Sequence, residues 1–338
     1  MIIETFKHNM AAHCESGTLT ALLNHKGFTI SEPMIFGMGS ALYFGYLSHT
    51  PNLNFPMFIL RTKPGKLRKK VAKRLGIKFK SDKFRSTEKA ERELDDLISK
   101  GIPVAVQVDL YYMDYIPEWE RVHANIHFIT IVGKEGDYYI VSDSYFPKLA
   151  KLHKDSLQKA RFAKGYLAPK GFMYYIDSVP KSVDQKKIII KAIKETINNM
   201  IGIQPPFIGI RGMRMFGRKV VGWPKLTRDI DHLSHEITKI NIFLEDQGTG
   251  GAGFRYMYAT FLRQAAPLFN NTELDVLSKK MMEIGDGWRN ISYFAAKISK
   301  NRDLGPDKLS ELSKMILDRA DAEEAFYKEL KQVVNRLK

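Results

Sequence analysis

The sequence predicts an α+β protein in two parts: an N-terminal domain over residues 1–178 built on an antiparallel sheet, and an all-helical domain over 179–338. In the first half, helical and strand periods alternate, and the strands cluster late with short turns between them. That pattern gives an antiparallel sheet packed on early helices. After Asp177 alternating segments almost vanish, and apolar residues recur every three or four positions to the end. With 338 residues, 44% hydrophobic and 27% charged, there is enough chain for two packed cores.

The elements follow in order. Helical spacing runs over about 15–25, 32–47, 64–75 and 86–100. Extended patterns lie at MFILRTK, IKFKS, PVAVQVDLYYM, FITIV, YYIVSD and FMYYID, and the domain break falls near Ser178 to Ser182. Beyond it, helix-length segments begin at 179, 225, 253, 272 and 307. Between the first two, Pro205, Pro206 and repeated glycines predict a structured loop over 202–225.

Composition bounds the chemistry. A single cysteine excludes an internal disulfide and suits a reducing compartment. MIIETFKHNMAAHC lacks the basic start, apolar core and cleavage site of a signal peptide, so a cytoplasmic location is expected. The longest apolar stretch, Pro33 to Leu47, is too short to span a bilayer and reads as a buried helix, so no membrane partner is expected.

The net charge of +16 favours a negatively charged partner. Nucleic acid is not the expected one, because an RNP-like motif, zinc-finger spacing and an arginine-rich arm are all missing. The densest basic run, Gly65 to Gly76, carries an apolar stripe of Leu67, Val71 and Leu75 with its cations facing outward. It reads as a solvated helix face, or as a dock for which an acidic small protein or anionic ligand fits as well as RNA.

Cys14 opens the first helix, where free N–H groups and the positive end of the helix dipole favour a thiolate; a small buried hydrophobe is the bland alternative. His127 begins a strand and Asp143 ends the next, across a glycine-bearing hairpin turn. Nucleophile, base and orienting acid thus come in the chain order of papain-like thiol enzymes. Strict pairing offsets His127 and Asp143 by several residues, and Asp143 could instead cap the turn that follows it.

Acyl transfer also needs an oxyanion hole. The Cys14 backbone N–H is one donor, and His8, Asn9 and His13 are side-chain candidates for another. Glu32, opening the second helix, is a ligand-binding candidate. Gly248 to Gly253 matches G-x-G-x-x-G in letters but follows a helical-period segment rather than a buried strand, so a dinucleotide site is not expected. The loop reads as a mobile helix connection, or, through Gly250, Gly251 and Arg255, as a ligand-approaching segment. No metal site is expected: His123 and His127 lack further ligands nearby, and His232 and His235 read as surface residues.

HCESGTLTALLNHKGFTISEPMIFGMGSALYF, IPVAVQVDLYYM, IHFITIVGKEGDYYIVSDS and LQKARF resemble the N-terminal domain of the butirosin biosynthesis protein H family. GAGFRYMYATFLRQAA with GDGWRNIS resembles the helical domain of unknown function that commonly follows it, so the likeness covers about 8 to 300. The segment from HF to Asp143 is also similar to bacteriocin-processing cysteine peptidases, and Ile126 stands where relatives often carry glycine.

The resemblance implies a papain-like cysteine-protease-type N-terminal domain, with Cys14 as nucleophile, His127 as base and Asp143 as orienting acid. It implies transfer of an acyl or aminoacyl group from an acidic acyl carrier protein to a small-molecule amine acceptor. The chain itself would need no cofactor, the donor protein carrying the 4′-phosphopantetheine. Two alternatives stay open: a peptidase or amidase of the same clan, and a binding protein on a retired thiol fold. A homodimer is compatible with so many amphipathic helices.

Overall fold

A computed structural model describes residues 1–48 and 55–337. They form two compact units, Met1–Ile35 with Leu67–Val183, and Phe36–Lys66 with Asp184–Lys338. The sequence divides the chain once, at 178/179; the structure instead sends Phe36–Lys66 to the helical unit. Following α1 (Cys14–His25), the helix expected over 32–47 is two elements, α2 (Glu32–Met38) and strand β1 (Leu42–Leu47). Ser40, at φ 47°, turns the chain between them. β1 pairs antiparallel with β2 (Met57–Arg61), with an irregularity between Leu42 and Gly45.

In the first unit come α3 (Lys66–Leu75), β3 (Lys78–Asp82), α4 (Thr87–Ser99), β4 (Val104–Val108), β5 (His127–Glu135), β6 (Tyr138–Ser142), β7 (Ala150–His153), α5 (Lys154–Arg161) and β8 (Met173–Ser178). Among the described residues the strands make one antiparallel sheet in the order β3-β8-β4-β5-β6-β7. The strand pattern over 103–113 stops at Val108 because the Asp109 carboxylate accepts the Tyr111 N–H at 2.9 Å and starts a 3-10 turn.

α1 buries Leu19, Leu22 and Leu23, each contributing about 1.5–3 kcal/mol of apolar burial. The Thr18 hydroxyl fastens it to β5 through the Phe128 carbonyl at 3.3 Å. It ends where Gly27, at φ 79°, lets the Phe28 N–H return to the Leu23 carbonyl at 2.9 Å. On α3 the apolar stripe of Leu67, Val71 and Leu75 is buried, but the expectation of outward cations fails at Arg68. That guanidinium lies 4.5 Å from the Tyr174 ring centroid and 5.1 Å from that of Phe172, so it stacks inside the unit as a cation–π partner.

The second unit continues with α6 (Gln185–Ile201), α7 (Gly209–Val220), α8 (Ile230–Asn241), α9 (Arg255–Ala265), α10 (Thr272–Lys300) and α11 (Pro306–Arg336). The loop expected over 202–225 therefore contains a helix. Its buried Ile210, Met213, Phe216 and Val220 keep helical spacing, while Gly217 lets Leu317 approach to 3.0 Å of where a Cβ would stand. β1 and β2 are the aromatic floor of this unit: Phe44 stacks on Phe58 and Trp288, each at 6.0 Å, and the Trp223 indole donates to the Tyr46 hydroxyl at 3.1 Å. Among the described residues no helix is long and apolar enough to cross a membrane.

Candidate active site

Every residue of the site lies in the first unit. α1 starts at Cys14 because His13 before it is extended, at φ −138° and ψ 130°. The Glu32 carboxylate fixes that start by accepting the Ala12 N–H at 2.8 Å, the His13 N–H at 2.9 Å and the Ser16 hydroxyl at 2.8 Å. Withdrawal from water raises the Glu32 pKa above 4.5, against the lowering effect of those donors. The half-buried Cys14 sulfur lies 3.8 Å from the carbonyl oxygen of Ile126, the residue before His127. Gly17 allows the helix to meet the segment after β6: a Cβ there would stand 2.4 Å from the Ala11 Cβ and 3.0 Å from the Ser144 hydroxyl.

Sheet register brings His127 and Asp143 together. Thr130 pairs with Ser142, and a bulge between Ile131 and Gly133 removes one residue of the offset. Extending that register by one residue puts Asp143 opposite Ile129, so His127 is its diagonal neighbour on the same face. Gly133 is needed at the bulge because the first residues of the chain cross there: its Cβ would lie 2.6 Å from the Met1 carbonyl oxygen.

The resulting contact is 2.8 Å between His127 Nε2 and Asp143 Oδ2, with the His127 side chain 14% exposed and that of Asp143 0%. Asp143 also caps its turn, accepting the Tyr145 N–H on Oδ1 at 3.1 Å. Orienting acid and turn cap are thus one residue using its two oxygens. Burial pulls the His127 pKa down, but the charge and hydrogen bond of Asp143, joined by Cys14, lift it well above 6.5. For Asp143 burial acts upward, and His127 and the donors around it hold the carboxyl below 3.8. A buried carboxylate therefore stabilises an imidazolium beside the thiol, with Nδ1 as the ring nitrogen not engaged by Asp143.

One support, Tyr115, escapes sequence reasoning, and another, His8, takes a different task from the oxyanion role expected of it. The Tyr115 hydroxyl donates to Asp143 Oδ2 at 2.9 Å, and its ring meets Phe146 edge-on at 5.5 Å. His8 spans the same segment, Nδ1 to the Ser142 hydroxyl at 2.8 Å and Nε2 to the Phe146 carbonyl at 2.9 Å. His8 spends both nitrogens on that segment and offers no donor to an oxyanion in this arrangement. Asn9 is exposed, with its amide 3.5 Å from the Lys7 carbonyl, and His13 is the buried N-cap of α1.

The remaining ligand-binding candidates take structural positions. Glu32 holds the head of α1 as described. Arg255, in the second unit, is fully buried: it pairs with Glu323 at 3.0 Å, donates to the Gly253 carbonyl at 2.8 Å and lies 4.9 Å from the Trp288 ring centroid. The loop with Gly250 and Gly251 is tied down rather than a mobile connection. Thr249 accepts the Gly251 N–H at 3.1 Å and Glu245 accepts the Ala252 N–H at 3.0 Å.

Comparison with known proteins adds the following. The family described as butirosin biosynthesis protein H, N-terminal, matches residues 13–144, and the domain of unknown function DUF4872 matches residues 155–330. A Bacillus anthracis protein described as a C39-like peptidase has a similar crystal structure at TM-score 0.37 and 14% identity, over 53% of this chain and 98% of that one. No curated protein matches the sequence. With a cysteine-bearing helix laid on an antiparallel sheet, a histidine and a buried acid at its strand ends, and these two matches in tandem, the chain belongs to the family that joins a butirosin biosynthesis protein H N-terminal domain to a DUF4872 domain.

Proposed function

We propose that this protein is a cysteine-dependent acyltransferase, moving an acyl or aminoacyl group from a carrier-protein thioester to an amine in antibiotic-type secondary metabolism. The observation that carries it is the 2.8 Å contact between His127 and the buried Asp143 beside a thiol at a helix head. The Cys14 thiolate attacks the thioester carbonyl, with its own backbone N–H as one oxyanion donor. The His127 imidazolium protonates the departing thiolate of the donor and becomes neutral. The amine then attacks the acyl-Cys14 carbonyl, His127 takes its proton, and amide and Cys14 thiolate are released. Atoms and charge balance over the cycle.

The net charge of +16 supports an acidic carrier protein as donor, its 4′-phosphopantetheine arm bringing the thioester to Cys14. A lone cysteine kept as a reactive thiol suits work in the reducing cytoplasm. The test is to incubate the protein with an N-acetylcysteamine acyl thioester with and without amines, following intact mass and products. An acyl adduct on Cys14, absent from Cys14→Ala, and an amide that grows with amine concentration are expected. Free acid as the sole product at every amine concentration makes the protein a hydrolase and overturns the reading.

A further inference from the structure

Attack of sulfur on a thioester moves negative charge onto the carbonyl oxygen. The Cys14 N–H stabilises that oxygen only if its direction is fixed before the reaction begins.

We propose that Glu32 is a positioning residue for this step, aiming the Cys14 N–H at the developing oxyanion, an inference that rests on the acyltransferase reading. Two restraints meet on His13, the residue before the nucleophile. Its N–H donates to Glu32 Oε1 at 2.9 Å, and its carbonyl accepts the Gly17 N–H at 2.7 Å. The peptide joining His13 to Cys14 is trans and planar, so the Cys14 N–H runs antiparallel to that carbonyl and leaves the helix head outward. With His13 tied on both sides, its extended φ of −138° and ψ of 130° are held, and with them the direction of that N–H.

The clamp is wider than one bond. Glu32 Oε2 accepts the Ala12 N–H at 2.8 Å, and Oε1 also accepts the Ser16 hydroxyl at 2.8 Å, so one carboxylate ties residues on both sides of Cys14. Glu32 itself stands on a fixed base at the start of α2. There the Ser31 carbonyl accepts the Ile35 N–H at 3.1 Å and the Ser31 hydroxyl accepts the Met34 N–H at 3.4 Å.

The place of the anchor is what points to the reaction. A serine or aspartate at the N-cap would accept the N–H of Glu15 or Ser16 and lay its side chain across the helix head. His13 makes no such bond, and Glu32 takes N–H groups upstream of Cys14 instead. The anchor therefore does not lie across the head where the oxyanion forms. A carboxylate withdrawn from water is a costly anchor for a helix that a local serine could cap, and a merely structural need does not call for it.

The experiment uses the full chain and compares two reactions of the same thiol. Acylation by an N-acetylcysteamine thioester builds an oxyanion, whereas alkylation by iodoacetamide is a displacement at carbon and builds none. Both need the thiolate, so their ratio at one pH cancels any change in its population; intact mass reads both rates. In Glu32→Gln one acceptor oxygen remains for three donors, and the acylation rate divided by the alkylation rate is expected to fall about 10²-fold, the scale of losing or misplacing one oxyanion donor. Ser16→Ala, which keeps both backbone bonds to Glu32, is expected to lower the ratio about 2–10-fold, the scale of one hydrogen bond. An unchanged ratio in Glu32→Gln, even with both rates reduced, makes Glu32 a structural anchor only and overturns the proposal while leaving the acyltransferase intact. If that variant does not fold, an unchanged ratio in Ser16→Ala overturns it. Failure of the wild-type chain to form acyl-Cys14, while iodoacetamide still labels it, overturns both readings.

Discussion

Replacing Asp143 by Asn preserves shape while removing the charge that holds His127 as an imidazolium. In the wild type burial is the largest single influence on His127 and acts downward; the charge and hydrogen bond of Asp143 overturn it. Asp143→Asn removes the charge and leaves at most a neutral acceptor, so His127 is expected to cross from above 6.5 to below it. Three donors converge on the carboxylate, from His127 and Tyr115 on Oδ2 and Tyr145 on Oδ1. An amide has one acceptor oxygen, so at least one buried donor goes unmatched, at about 1–3 kcal/mol. If the amide nitrogen turns toward His127, the ring must move its proton to Nδ1 and can no longer accept one there.

The linkage gives the pH window. His127, raised, contributes stability that is full below pH 6.5 and is lost as pH climbs through its folded value; Asp143, lowered, contributes above pH 3.8 and is lost as pH falls through its folded value. The wild-type advantage over Asp143→Asn should thus be widest between pH 3.8 and 6.5, about 3–5 kcal/mol for a severed buried pair, and shrink on the alkaline side. Histidine Cε1 NMR titration, with urea melts at several pH values, reads both effects. A wild-type His127 titrating at or below 6.5, or one unmoved by the substitution, refutes the coupling.

Among the described residues, Tyr115→Phe leaves His127 as the remaining side-chain donor on Asp143 Oδ2, so His127 should titrate still higher while stability falls by about 1.5–3 kcal/mol. The same NMR series checks it, and a downward shift would contradict it. In the helical unit, Arg255→Met strands the fully buried Glu323 with the Trp288 indole as its remaining named donor, and should cost about 3–5 kcal/mol. Arg255→Met with Glu323→Leu should recover most of that in thermal unfolding; a single variant within about 0.5 kcal/mol of wild type would show the pair to be idle. Gly17→Ala, which forces a Cβ to 2.4 Å from that of Ala11, should destabilise by about 1–3 kcal/mol and slow Cys14 alkylation by displacing α1. Unchanged melting would mean that the neighbouring segment yields freely.

Where local rules suffice, the sequence is a good guide. α1 is legible from its period and from Cys14 at its head, and the chain order singles out His127 and Asp143, which the structure brings into contact. Residues 33–47 mislead because PMIFGMGSALYFGYL is apolar almost throughout, and uniform apolarity carries no period; β1 is recognised only by its partner β2. α7 is obscured by its glycines, although Ile210, Met213, Phe216 and Val220 keep helical spacing. Arg68 looks like one more surface cation because its aromatic partner Tyr174 lies more than a hundred residues away in sequence. The bulge at Gly133 and the hydroxyl of Tyr115 leave no trace in spacing at all, yet they decide how His127 meets Asp143.

The excursion of Phe36–Lys66 into the helical unit has a consequence for how this protein can be divided or inherited. A fragment ending at residue 178 carries Phe44, Tyr46 and Phe58 without Phe216, Trp223 and Trp288, and the complementary fragment has the reverse lack. Neither matched stretch, 13–144 or 155–330, coincides with a body that closes its own interior. Recombination at that boundary yields two chains with sticky aromatic faces. The tandem is therefore one heritable object, and shuffling it for new specificity requires carrying residues 36–66 with the helices they complete.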